Sequence, residues 1–180
     1  MLLLGIFIIC NFFHVSSVGN DHIDIEKYKT ALVYLESTGL VDSFYFHPDD
    51  KDYKLFLCVS DEILKYVDDS ATILNSDCEN LGLAFPKWTE KTDLVKELNK
   101  DRDSCNAMLF FTKVFGNKFI GEIWWIPRSP IYIVQGDRII GHEYPKEYKD
   151  LSFMGNYVRI LFEFEDEEVK NVCYIKGTAN

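Results

Sequence analysis

The chain carries MLFFTKVF (Met108–Phe115), GN (Gly116-Asn117) and KFIGEIWW (Lys118–Trp125) in immediate succession. Two aromatic and β-branched runs joined by two residues that tolerate positive φ are the sequence form of a tight β-hairpin. The pattern recurs downstream. Ile131–Gln135 and Arg138–Tyr144 flank Gly136-Asp137, and Tyr157–Phe164 is followed by Val169–Ile175 across an acidic turn. Three successive hairpins predict an antiparallel meander, which can close into a barrel or pack as a sandwich.

Upstream the pattern is mixed. Ile25, Tyr28, Leu32 and Leu35 are spaced 3, 4 and 3, one apolar stripe of a helix that Gly39 can terminate. Leu40–Phe46 and Tyr53–Val59 read as strands around the turn-forming His47-Pro48-Asp49-Asp50. Ser60 can cap a short helix through Val67, and Thr89 a second one through about Lys100. The expected fold is mainly β with helices, an α+β or barrel-like domain.

Leu2 to Phe13 is an apolar run broken only by Gly5, Cys10 and Asn11. It is too short to cross a bilayer, which needs about 20 residues, and has the length of a signal-peptide core. Small residues at Ser16, Ser17 and Gly19 fit cleavage after Gly19 or Ser17. The expected organisation is a signal peptide over 1–19 and one secreted ligand-binding domain over 20–180, with no later membrane span. Of five cysteines, Cys10 leaves with the leader, and Cys58, Cys78, Cys105 and Cys173 remain. An even number in an exported chain predicts two disulfides, with three possible connectivities. The formal charge of −10 lies wholly in the mature part. A polyanion lacks the basic patches that nucleic acid and anionic lipid surfaces require.

Catalytic and metal-binding patterns are absent from the sequence: no GxSxG, HExxH, P-loop, GxGxxG or CxxC occurs. His22 and His47 read as solvated, and His142-Glu143 is the single pair able to support acid–base work, without a nucleophile assigned to it. Asp49–Asp52 and Glu163–Glu168 are acidic but lack the EF-hand pattern, and read as solvated turns. The expected protein is therefore not an enzyme and takes no cofactor or metal. Aromatic residues make up 15% of the chain and concentrate in the strands, where they can line a cavity as well as fill a core. Glu122 lies between Ile120 and Trp124 on one strand face. It is either an exposed charge or a cavity acid, and a cavity acid is costly unless a cation pairs with it.

Asp103-Ser104-Cys105-Asn106-Ala107-Met108, running on to Gly121-Glu122-Ile123-Trp124-Trp125, resembles the Asp-x-x-Cys and Glu-Leu-Trp strands of the tick salivary lipocalins, which include histamine-binding proteins. The amphipathic helix from Asp24, then a strand and Cys58, is similar to that family's opening. The resemblance implies an antiparallel meander closing into a lipocalin-like barrel of eight strands, with an N-terminal helix. It implies sequestration of a biogenic amine or a lipid, with Glu122 and Trp124 in the pocket; Phe110 and Tyr132 join them as candidates. It also implies Cys58–Cys173 tying an early strand to the last, which leaves Cys78–Cys105. The end of the chain, Gly155-Asn156-Tyr157 to Cys173-Tyr174-Ile175, looks like the closing strands of ML and GM2-activator lipid-recognition proteins. The expected partners are a small hydrophobic or amine ligand, with a host protein as the other class, reached through an exposed acidic face. With an amine as its only cation, Glu122 replaced by Gln should lose amine binding and leave stability unchanged or higher.

Expression in a secretory host should deliver a mature N-terminus at Asn20 or Val18. Intact mass and N-terminal sequencing of the secreted product check this, and a product retaining Met1 would remove the leader.

Overall fold

The computed structural model describes residues 24–44, 55–83, 85–93, 96–99, 105–126, 131–143, 147–151 and 155–178, with Lys96, Ile131, His142 and Glu143 as backbone only. The leader, His22, His47 and Asp49–Asp52 lie outside them.

The Gly116-Asn117 hairpin forms. Strand β3 (Ala107–Thr112) and β4 (Lys118–Trp125) pair antiparallel from Ala107↔Trp125 to Phe111↔Gly121. Phe115 and Lys118 exchange backbone hydrogen bonds of 2.9 and 3.0 Å across the turn, where Gly116 takes φ 60°. Such an angle is the reason for glycine there. The other two hairpins also form, as β5 (Ile131–Gln135) with β6 (Arg138–Glu143) and β7 (Asn156–Glu165) with β8 (Glu168–Thr178).

They do not assemble as a meander, and among the described residues the strands form no closed barrel. Strand β4 pairs with β7 rather than with β5, so β5 and β6 stand apart as a two-stranded sheet. Strand β1 (Leu57–Lys65) runs parallel to β3, with β2 (Trp88–Lys91) antiparallel on its outer side. The main sheet is mixed and open, in the order β2-β1-β3-β4-β7-β8.

Three local expectations fail upstream. Ser60–Val67 is not a helix, because most of it belongs to β1. The Ser60 hydroxyl does accept a backbone N–H two residues on, from Glu62 at 3.1 Å, but at a shift in the β1–β3 register instead of a helix start. Thr89 sits in β2, and the predicted helix after it shrinks to a 3-10 turn at Lys96–Asn99 that Asn99 pins to both backbone groups of Val59. Val41–Ser43 is also a 3-10 turn, where a strand was expected. Ile63 and Leu64 each bury on an opposite face of the sheet, and that burial outweighs a weak capping preference.

Both faces of the sheet are covered. Helix α1 (Ile25–Ser37) starts at Asp24, whose carboxylate accepts from the Lys27 N–H at 3.1 Å, and lays Tyr28, Ala31, Leu32 and Leu35 on one face. There they pack with Phe111, Phe119, Ile160 and Phe162 in the main core. The opposite face carries Met108, Phe110, Ile120, Trp124, Tyr157 and Leu161. It is roofed by helix α2 (Asp69–Leu74), by Leu81 and by helix α3 (Tyr148–Leu151). Sandwiched central strands read as continuous apolar runs, which is why AMLFFT is buried at every position.

The disulfides join Cys58 to Cys105 and Cys78 to Cys173, correcting the expected Cys58–Cys173 and Cys78–Cys105. The parallel β1–β3 pairing sets Cys58 beside Met108, close to Cys105, which a barrel closing early strand on last would not do. The second bridge staples the loop after α2 onto β8. Non-reducing peptide mapping should recover these two linkages, each worth about 2–4 kcal/mol. A Cys58–Cys173 peptide would refute the pairing.

Candidate functional site

Glu122 and Arg159 are direct cross-strand partners on β4 and β7, and neither side chain is exposed to solvent. Arg159 Nε donates to Glu122 Oε2 at 2.8 Å. The other carboxylate oxygen accepts from Trp124 Nε1 at 2.7 Å and from the Tyr148 hydroxyl at 2.8 Å. Arg159 Nη1 donates to the Leu81 carbonyl at 3.2 Å, and the guanidinium lies 4.6 Å from the Phe85 ring centroid and 5.5 Å from that of Tyr157. Glu122 is thus the buried acid of the two alternatives open in the sequence. The cation that makes burial affordable is Arg159, from the chain itself, and not a ligand amine.

Burial works against the Arg159 charge, yet Glu122, with Tyr66 and Tyr157, raises its pKa above the ordinary arginine value. Burial and then the Glu122 charge push the Tyr148 phenol well above the usual tyrosine range, so it stays a donor. Tyr148 is itself placed by Glu62, whose Oε2 accepts the Tyr148 backbone N–H at 2.7 Å while Oε1 accepts from the Thr89 hydroxyl at 3.1 Å. One acid on β1 therefore ties α3 and β2 together above the pair.

Over this network opens a pocket of about 330 Å³. It lies where β4 ends and β7 begins. The walls are Trp124, Tyr157, Tyr148 and the incoming segment Phe85–Thr89, with Lys149 and Thr178 at the rim. The Trp124 and Tyr157 rings stack at 5.0 Å, and Tyr148 meets Trp124 edge-on at 5.9 Å. Gly177 on β8 makes room for this arrangement, since a Cβ there would overlap the Tyr157 ring. Phe85 and Trp88 are half exposed at 52% and 51%, held over the pocket by the Lys87 N–H donating to the Lys65 carbonyl and by β2 pairing with β1.

Of the four expected ligand residues, Trp124 lines this pocket. Glu122 lies beneath it, fully engaged. Phe110 is completely buried behind Tyr148, at 5.2 Å ring to ring, and does not reach the pocket. Tyr132 is 57% exposed on the separate β5–β6 hairpin and takes no part. Arg159, Tyr148, Tyr157, Phe85 and Trp88 were not anticipated. Arg159 had a legible signal, being a lone cation in the apolar run NYVRILF just as Glu122 is a lone acid in KFIGEIWW. Glu165–Glu168 form the exposed β7–β8 tip, where Lys170 pairs with Glu165 at 2.8 Å.

No family model, curated protein or solved structure matches this chain. Its function has to follow from the geometry of this site.

Because Arg159 would be left as an unmatched buried charge, Glu122→Gln should destabilise the fold by about 3–5 kcal/mol, as should Arg159→Met alone. The sequence-based expectation of unchanged or higher stability is thereby reversed. The double variant should recover much of the loss, because neither charge remains. Urea unfolding of all four proteins measures the cycle; additive single losses would mean that the two side chains do not interact.

Proposed function

We propose that this chain is a secreted, non-catalytic binding protein that holds a small ligand in the open aromatic pocket over Glu122 and Arg159. The carrying observation is that five aromatic residues, Phe85, Trp88, Trp124, Tyr148 and Tyr157, converge on one concavity. Half-exposed rings such as Phe85 and Trp88 cost free energy in water, and they recover it when a flat apolar surface covers them. A volume of about 330 Å³ lies at the small end of ligand pockets, suited to a ring system and too small to enclose a whole lipid. A binding role is also supported by the surroundings of Glu122, whose carboxylate three donors from the chain already engage beneath the pocket. Export is supported by two disulfides and by the lack, among the described residues, of any helix long and apolar enough to span a membrane.

A second reading draws on the β5–β6 hairpin, where Tyr132, Val134, Ile139 and Ile140 are each more than half exposed. Apolar groups on a projecting hairpin suit docking to another protein.

Native mass spectrometry of the secreted protein separates the two. The pocket reading expects a small adduct that is lost, or weakened at least tenfold, in Trp88→Ala. That substitution removes a half-exposed ring and should leave the melting temperature nearly unchanged. An adduct insensitive to Trp88, or a protein complex abolished by Ile139→Ser with Ile140→Ser, would favour the hairpin.

A further inference from the structure

The charge carried by the pocket differs from the charge of the molecule. The whole chain has a formal charge of −10, yet the described residues lining the pocket include Lys87 and Lys149 and no aspartate or glutamate. Two buried acids lie next to the lining, and both are engaged: Glu122 by Trp124, Tyr148 and Arg159, and Glu62 by the Thr89 hydroxyl and the Tyr148 backbone N–H. A cationic ligand would therefore enter a lining whose charged members are two lysines.

The walls restrict the ligand further. Trp124 spends its indole N–H on Glu122, and Tyr148 spends its hydroxyl on the same oxygen. What these two residues can offer an occupant is ring surface, not hydrogen bonds. The charged contacts fall to the lysines, because the Thr89 hydroxyl already donates to Glu62 at 3.1 Å and that of Thr178 to Asn156 at 2.9 Å. Lys149 pairs with Glu147 at 2.8 Å, but Lys149 is 73% exposed and Glu147 43%. A surface pair of this kind is screened and readily exchanged for a better-placed acid.

Resting on the pocket reading above, we infer that the ligand is a flat aromatic acid, a fused-ring body against the aromatic walls with one anionic group answered by Lys87 and Lys149. The ring accounts for the five aromatic residues, and the acid accounts for a cationic rim on an acidic protein. A pocket of about 330 Å³ sets the scale at two fused rings with a short side chain. The rim lysines raise the local concentration of anions that the rest of the surface repels.

Calorimetric titration of the full-length secreted protein with matched probes tests this. Indole-3-acetate, indole-3-acetamide and tryptamine share a ring and differ in charge; 2-naphthalenesulfonate and 2-naphthalenesulfonamide repeat the comparison on a second ring. Each anion should bind about tenfold or more tighter than its neutral partner, and tryptamine weakest of all. The advantage of the anion should shrink as salt is raised from 0.05 to 0.5 M. Lys87→Ala with Lys149→Ala should remove most of the advantage of each anion over its amide. Lys170→Ala, a single charge loss at the far β7–β8 tip, should leave the anion advantage in place. Equal binding of acid and amide by the native protein would overturn the acid preference while the pocket stands. Binding of acid and amide that is unaffected by Trp88→Ala would overturn the pocket itself, and the inference with it.

Discussion

An arginine and a glutamate facing one another on two adjacent inner strands, with no solvent contact, constrain the packing on that side of the sheet. Two charges taken out of water are tolerated only when every strong hydrogen-bonding direction of the acid is answered. Glu122 receives Arg159, Trp124 and Tyr148, three donors from three separate elements. Each donor must then be brought into place by something else. Glu62 holds the α3 backbone so that Tyr148 can reach, and Phe85 caps the guanidinium. Leu81 turns its carbonyl toward Arg159, and the Cys78–Cys173 bridge anchors the same loop a few residues earlier. The roof over this face is short and irregular, with helices of six and four residues. Such elements have little stability of their own, and the ion pair supplies a fixed point for α3 and for the chain that carries Leu81 and Phe85.

The two faces of the sheet thus differ in kind. On the α1 side the core is apolar and closed, with Tyr28 stacked on Phe111 at 4.6 Å and Phe119 stacked on Phe162 at 5.0 Å. On the other side two smaller apolar clusters flank a charged centre, and the covering chain leaves a gap above Trp124 and Tyr157. The gap falls where the roof passes from the Phe85–Thr89 segment to α3.

The strands were legible where periodicity was strong and the turn chemistry local. The Gly116-Asn117 and Gly136-Asp137 hairpins and the β7–β8 pair follow from runs of aromatic and β-branched residues on either side of a turn. The α1 stripe was legible for the same reason. Upstream, β1 and β2 were obscured by residues that also suit helix starts. Ser60 and Thr89 are good caps in isolation, but the neighbours of Ser60 bury in β1, and Thr89 lies in the edge strand that pairs with β1. Assembly was not legible either, because β4 pairs with β7 across an intervening hairpin and β1 lies parallel to β3. Neither contact is encoded by a short-range signal, and hairpins in series look the same in sequence whether or not they join one sheet.

By itself, then, the sequence determined the local elements with strong period and turn signals, the apolar run from Leu2 to Phe13, the acidic balance and the set of cysteines. It also marked Glu122 as a charge in an apolar strand, without saying which way that strand faces. Strand order, cysteine pairing and the partner of Glu122 were decided by tertiary structure alone. Each depends on which distant segment lies alongside, and that follows from burying two sheet faces at once while leaving no charge unmatched. The same cause explains the pocket. Its walls come from residues 85 to 178, and only the closure of the roof around one ion pair sets them side by side.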